Sequence, residues 1–421
     1  MGWCMNERDM GPGLREREGK EPDVVRSAAE VGRTGGCGTD GVGAGGVGMR
    51  RVGTRRWLAP WKDSRTTPVL YHVISRVVDR RLAFKREEKE HFRMLMRKVE
   101  AFSGCRVLAY CVMGNHFHLL LEVPPRPEAG LAAESFDRGM FKKRLVGIYK
   151  PGEVAEVLKA LDDALAATDG SEDSRIRVTE EIAGPYLVRM HDLSEFMKNL
   201  LQRFTRWFNR RHGRTGTLWE ERFRSVIVEN GIPARTVAAY IDLNPVRAGM
   251  ANDPADYRWS SYGEAVGAGG RSVAGRMARG GLVRALLCSE GAGDEPGRWS
   301  EVSGRYRLLL RQAMERKGLS AVAVRRGDEE GAAAGAAVAS FDGGDDEVFA
   351  AEMRFAGMLM RRVRYFTGGV VIGSRGCVER CFEAARHRFG PKRQTGARRM
   401  RGTAAEAAGV LWSMRDLRDP G

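Results

Sequence analysis

The chain has 421 residues, enough for roughly two or three domains, and 70 lysines and arginines against 54 aspartates and glutamates, a formal charge of +16. That excess suits a polyanionic partner, nucleic acid first. Seven cysteines stand singly, no apolar run reaches membrane-span length and the N-terminus lacks an apolar signal core, which argues against a disulfide framework, a zinc ribbon and a membrane protein and for a reduced, cytoplasmic, nucleoid-associated chain.

Residues 1–62 are rich in Gly and Arg and read as a disordered basic arm. From Thr67 the texture changes. Val69 to Val78 reads as a strand. Glu87 to Phe102 places Phe92, Leu95, Met96, Val99 and Phe102 at helical spacing. Two apolar runs, Arg106–Val112 and Leu119–Val123, flank the turn signal Met113-Gly114-Asn115 and predict a hairpin whose second strand opens with His116. Side chains alternate along a strand, so His116 and His118 share one face, about 6–7 Å apart at roughly 3.3 Å per residue. Phe117 points the other way, into the core. Two imidazoles so placed suit one metal ion.

Residues 124–190 are charged and proline-bearing and read as a mostly helical insertion, with helical spacing over Val154–Leu165. A long helix begins at Asp192, with the apolar stripe Phe196, Leu200, Leu201, Phe204, Trp207 and Phe208. Its arginines Arg203, Arg206, Arg210 and Arg211, together with Arg76, Trp219, Arg222 and Arg224, form the expected DNA-binding set. A Gly-bearing loop from His212 leads into the strand Arg224–Val228. Pro233 suits the first turn of the next helix, and Pro245 disfavours helix at Asn244, so that helix ends near there. Tyr240 and Asn244 lie four apart and share a face. Residues 264–346 read as a linker with one helix, near Trp299–Arg316. Residues 347–421 read as a small C-terminal accessory module: a helix at Met353–Val363, then turn, strand and helix, then a basic stretch from Pro391 to Arg399.

These parts permit phosphodiester cleavage without water as nucleophile. A tyrosine oxygen attacks phosphorus and forms a covalent intermediate, while a divalent ion polarises the phosphate. Two neutral imidazoles plus one amide oxygen leave positions open on such an ion for phosphate oxygens. This donor set suits Mn²⁺ well and Mg²⁺ more weakly.

Five stretches occur in the order seen in the single-tyrosine HUH transposases. They are Tyr71-His72-Val73-Ile74-Ser75-Arg76, Met113-Gly114-Asn115-His116-Phe117-His118, Arg206-Trp207-Phe208-Asn209-Arg210-Arg211, Gly216-Thr217-Leu218-Trp219-Glu220-Glu221-Arg222-Phe223 and Tyr240-Ile241-Asp242-Leu243-Asn244-Pro245-Val246-Arg247-Ala248-Gly249. Over residues 67–125 and 190–263 the chain resembles the REP-associated tyrosine transposase branch. The resemblance implies an α+β fold, a ferredoxin-like (RRM-like) antiparallel sheet with helices on one face, in a catalytic domain over residues 63–263. It implies His116, His118 and Asn244 as ligands of Mg²⁺ or Mn²⁺, Tyr240 as nucleophile, and a partner that is single-stranded or hairpin DNA, met as a monomer or homodimer. The 124–190 segment is longer than the family pattern, and the C-terminal module lies outside it.

Two rival readings stand beside this one. A replication- or relaxase-type HUH nickase shares His-x-His and tyrosine, but the Leu218-to-Phe223 and Asn244-to-Ala248 stretches favour the transposase branch. A non-catalytic nucleic-acid-binding protein on the same fold would stack bases on sheet aromatics, and the Gly-Phe-rich strand this needs is not found.

Overall fold

The computed structural model describes residues 57–126, 136–267, 272–287, 298–315, 356, 358–360, 363–400 and 410–415. Most of the expected basic arm, residues 1–56, lies outside them. Strand β1 (Val69–Arg76) is followed by helix α1 (Arg86–Ser103) and the hairpin β2 (Arg106–Val112) and β3 (His116–Val123). Helices α2 (Arg138–Val146), α3 (Pro151–Ala166) and α4 (Glu172–Leu187) fill the insertion. The long helix α5 (Leu193–Arg211) then leads to β4 (Arg224–Val228). Asp192 caps α5, its carboxylate accepting from the amides of Ser194 and Glu195 at 2.7 and 2.9 Å. Next come α6 (Ile232–Asp242), the single turn α7 (Asn244–Arg247), α8 (Ser261–Val266), α9 (Val273–Leu287) and α10 (Trp299–Glu315). The chain continues through α11 (Val363–Thr367), β5 (Val371–Gly373), α12 (Arg375–Ala384), β6 (Arg398–Arg399) and β7 (Trp412–Met414).

The seven strands among the described residues form one mixed sheet in the order β2-β3-β1-β4-β5-β7-β6. The first four are antiparallel, β1 lying between β3 and β4, and they alternate with helices as β-α-β-β-α-β. The α+β class is as expected. Helices cover both faces of the sheet. On one face α1, α5 and α12 pack over Tyr71, Val73, Phe117, Leu119, Leu121 and Ile227. On the other, α6, α8, α9 and α10 pack over Leu70, Leu108, Leu120, Val226 and Val228. The reason lies in β1 and β3, whose near-continuous apolar runs bury side chains on both sides and therefore need two covering layers.

Two expected segments also sit differently. Residues 264–346, read as a linker, contribute α9 and α10 to the second layer. Gly281 of α9 lies so close to β2 that a Cβ there would meet the Val107 carbonyl oxygen at 2.5 Å. The C-terminal segment, read as a module of its own, extends the sheet. β5 pairs in parallel with β4, whose outer edge would otherwise present unpaired backbone groups. The insertion's helices build a small core of their own from Phe141, Leu145, Val154, Leu158, Ala183 and Met190 against Phe102. No helix among the described residues is long and apolar enough to cross a membrane.

Candidate functional site

The hairpin register sets the site. Arg76 lies opposite His116, and Ile74 opposite His118, so β1 and β3 present Arg76, Ile74, His72, His116 and His118 on one face. Phe117 points to the opposite layer, 4.6 Å from Phe92 between ring centroids. Helix α6 crosses the histidine face and brings Tyr240 beside them. The Tyr240 ring is 5.9 Å from His118 and 5.8 Å from His72 between centroids, and the His116 and His118 rings are 5.1 Å apart at 79°.

Hydrogen bonds fix which nitrogens are free. His116 Nδ1 lies 2.7 Å from Asn115 Oδ1, an acceptor, so Nδ1 carries the proton and Nε2 keeps its lone pair. Asn115 is held in turn by donating from Nδ2 to the Arg80 carbonyl at 2.8 Å. His118 Nδ1 faces His72 Nε2 at 3.0 Å. Burial pushes His72 down to about 4, and burial with the nearby Arg76 and Arg247 charges takes His116 to about 4. His118 falls well below the usual histidine range, first by burial and then by the neighbouring His116. The three imidazoles are therefore neutral near pH 7, the state a metal ligand needs. Among the described residues no cluster of three His, Cys, Asp or Glu groups is placed to share an ion. The chain thus offers nitrogen donors at His116 and His118.

Asn244 is occupied otherwise. Its Nδ2 donates to the carbonyls of Tyr240 and Ile241, both at 3.1 Å, and its Oδ1 accepts from Arg247. The oxygen of the predicted third ligand is thus engaged by Arg247. The chain leaves α6 at Leu243 and resumes at once as α7, so Asn244 turns back onto the helix end instead of forward.

Tyr240 is fully buried. Phe366 of α11 stacks on its ring at 4.2 Å, and the Arg247 guanidinium lies over the ring at 4.1 Å. Its hydroxyl has no hydrogen-bond partner of good geometry. Burial raises its pKa, which Arg247 partly offsets. Arg247 also donates to the Leu359 carbonyl at 3.0 Å, tying the site a second time to the C-terminal segment.

The predicted DNA-binding residues divide. Arg76 is exposed on the histidine face, 3.9 Å from Glu220, and Arg224 lies on the same face, opposite Ile74. Arg206, Arg210 and Arg222 are exposed, the first two on α5, across the sheet from the histidines. Arg211 forms an ion pair with Glu87 at 3.0 Å. Two assignments are corrected. Trp219 is buried among Phe84, Phe117 and Phe204 and donates to Thr205 Oγ1 at 2.9 Å, so it is a core residue. Arg203 donates to the Ile148 carbonyl at 3.1 Å and lies over the Tyr149 ring, so it anchors the insertion. In both, a long apolar surface found a packing partner that composition does not reveal.

Sequence reasoning missed His72, Arg247 and Phe366. His72 was recoverable, because it alternates with Ile74 and Arg76 and so shares the face opposite His116 and His118. Arg247 follows Asn244 by three residues, a helical neighbour. Nothing local marks Phe366.

The comparisons with known proteins bear on this segment. Residues 66–132 match the family model described as Transposase IS200 like, a span that holds β1 to β3 and both histidines but neither Tyr240 nor Asn244. The search of curated proteins gave no match. A solved REP-associated tyrosine transposase bound to a REP hairpin is similar at 16% identity, with 51% of this chain and 84% of that chain covered. Its TM-score is 0.27, at which the likeness carries no weight for fold or function. The family match thus makes the segment that carries the histidine pair similar to the IS200-like transposases.

Proposed function

We propose that the protein cleaves and rejoins single-stranded DNA through a 5′-phosphotyrosine on Tyr240. One observation carries the reading. His116 keeps a free Nε2 lone pair, and His118 lies beside it with its Nδ1 engaged by His72, on the sheet face that α6 covers with Tyr240, whose ring is 5.9 Å from that of His118. The Tyr240 oxygen attacks phosphorus, the bond from phosphorus to the 3′-oxygen breaks, and the released 3′-hydroxyl later reverses the step on a new strand. The tyrosine proton leaves with the 3′-oxygen. Arg247, over the ring, favours the phenolate and, with Arg76, makes the face attractive to a phosphate. His116 and His118 would hold Mg²⁺ or Mn²⁺, and such an ion, when bound, supplies Lewis-acid polarisation of the scissile phosphate. Asn244 would join them if Arg247 released its oxygen.

Tyr240 is buried with Phe366 and Arg247 against its ring, so it meets DNA only after a rearrangement there. That burial favours a second reading, a nucleic-acid-binding protein that does not cut. One assay separates them. The protein is incubated with single-stranded and hairpin oligonucleotides and Mn²⁺, and covalent adducts are resolved by denaturing gel and mapped by peptide mass spectrometry. An adduct on Tyr240 is expected. Tight binding without any adduct would favour the second reading. A nickase of the replication type would form the adduct but fail to join it to a fresh 3′-end.

A further inference from the structure

A chain of buried hydrogen bonds links the histidine pair to the C-terminal segment. His72 Nδ1 lies 3.0 Å from the carbonyl oxygen of Phe366, and His72 Nε2 lies 3.0 Å from His118 Nδ1. The two rings stack at 5.2 Å with 23° between their planes, and Tyr240 meets the His72 ring edge-on, so the imidazole is held on several sides. A carbonyl oxygen only accepts. In a neutral His72 the proton therefore sits on Nδ1, and Nε2 is left to accept. His118 must then donate from Nδ1, and its lone pair lies on Nε2.

We propose that His72 is a positioning residue, which senses the Phe366 carbonyl and holds His118 in the Nδ1–H tautomer with Nε2 as its donor atom. The tautomer stands on the two hydrogen bonds alone, while its consequence for metal binding rests on the function proposed above. A ligating histidine whose other nitrogen donates to a fixed acceptor is oriented and made more basic, and loss of such a partner typically costs about 10–100-fold in metal affinity. Here the acceptor is itself fixed by a carbonyl 294 residues away along the chain, as the sequence separation of the pair shows. The C-terminal segment thus enters the site through its backbone. No side chain of the tail needs to reach the ion for the tail to matter.

The test uses the full chain with ¹⁵N-labelled histidine. Long-range proton–nitrogen correlation spectra identify the His118 tautomer without metal, and calorimetry measures Mn²⁺ affinity. The wild type is expected to show His118 protonated at Nδ1 alone. His72→Phe keeps the bulk and removes both contacts. It should give a mixture of His118 tautomers and lose about 10–100-fold in Mn²⁺ affinity. His72→Gln has an amide that can accept from His118 and donate to Phe366, and it should retain the tautomer and an affinity near that of the wild type. An Nε2–H tautomer in the wild type would overturn the proposal, as would a folded His72→Phe protein unchanged in both readouts. If His72→Phe does not fold, the wild-type spectrum and the Gln variant still decide. If the wild type shows the expected tautomer yet binds no Mn²⁺, the metal reading falls and the relay stands.

Discussion

The two faces of the sheet do different work. The face under α1 and α5 is an aromatic core: Phe84, Phe92, Phe117, Phe204 and Trp219 meet ring to ring at 4.6–6.1 Å. The face under α6 buries His72, His118, Tyr240, Asp242 and Asn244. Burying apolar rings stabilises, whereas burying groups that can carry charge costs free energy and shifts their pKa values. The α6 face gathers these groups around His116 and His118, the arrangement the proposed chemistry needs.

The largest expected effect is all or none. Tyr240→Phe should abolish the covalent adduct while leaving DNA affinity and folding nearly unchanged, since the hydroxyl it removes makes no hydrogen bond of good geometry. An adduct formed by this variant, or mapped to another tyrosine, would end the assignment. His116→Ala and His118→Ala should each remove Mg²⁺- or Mn²⁺-dependent cleavage and spare the fold. Cleavage by the double variant in the presence of chelator would dismiss the metal ligands.

The opposite face should show the reverse pattern. Phe204→Ala or Trp219→Ala is expected to cost about 3–5 kcal/mol in chemical denaturation, because each empties a packed aromatic site. The protein that remains folded should still form adduct. A Trp219 variant of normal stability that binds DNA poorly would restore Trp219 to the DNA-binding set.

Acid should loosen the histidine face first. His72 is held at about 4 against an ordinary 6.5, so between these values the unfolded chain binds the proton and the folded chain does not. Its share of stability is present above pH 6.5 and is lost as pH falls towards 4, on the order of 3 kcal/mol. Asp242 runs the other way. Burial raises it to about 7, so its cost is full above pH 7 and is relieved as it takes up a proton below that. Denaturant midpoints from pH 8 to 4 should therefore fall less steeply in His72→Phe than in the wild type. Parallel curves would return His72 to an ordinary environment.

The smallest effect concerns the arginines. Neutralising Arg76 and Arg224 on the histidine face should lower the log–log salt slope of single-strand binding by about 0.7 per lost phosphate contact. Neutralising Arg206 and Arg210, across the sheet, should leave the slope unchanged. The opposite result would put the DNA track along α5.

Local pattern carried much of this. Alternation along β3 determined that His116 and His118 share a face and that Phe117 does not, because side-chain direction in a strand follows from backbone geometry alone. Helical spacing and the capping aspartate determined α1 and α5, and the proline at the start of α6 marked that helix. Tertiary structure decided what long-range contacts decide. Trp219 became core and Arg203 an anchor because of partners on other elements. The oxygen of Asn244 went to Arg247 because α7 turns back at Leu243. Most of all, nothing in the sequence around Phe366 told that its ring would cover Tyr240 and its carbonyl would meet His72. That contact exists because β5 pairs with β4, and strand pairing across so many residues is settled by the packing of the whole sheet.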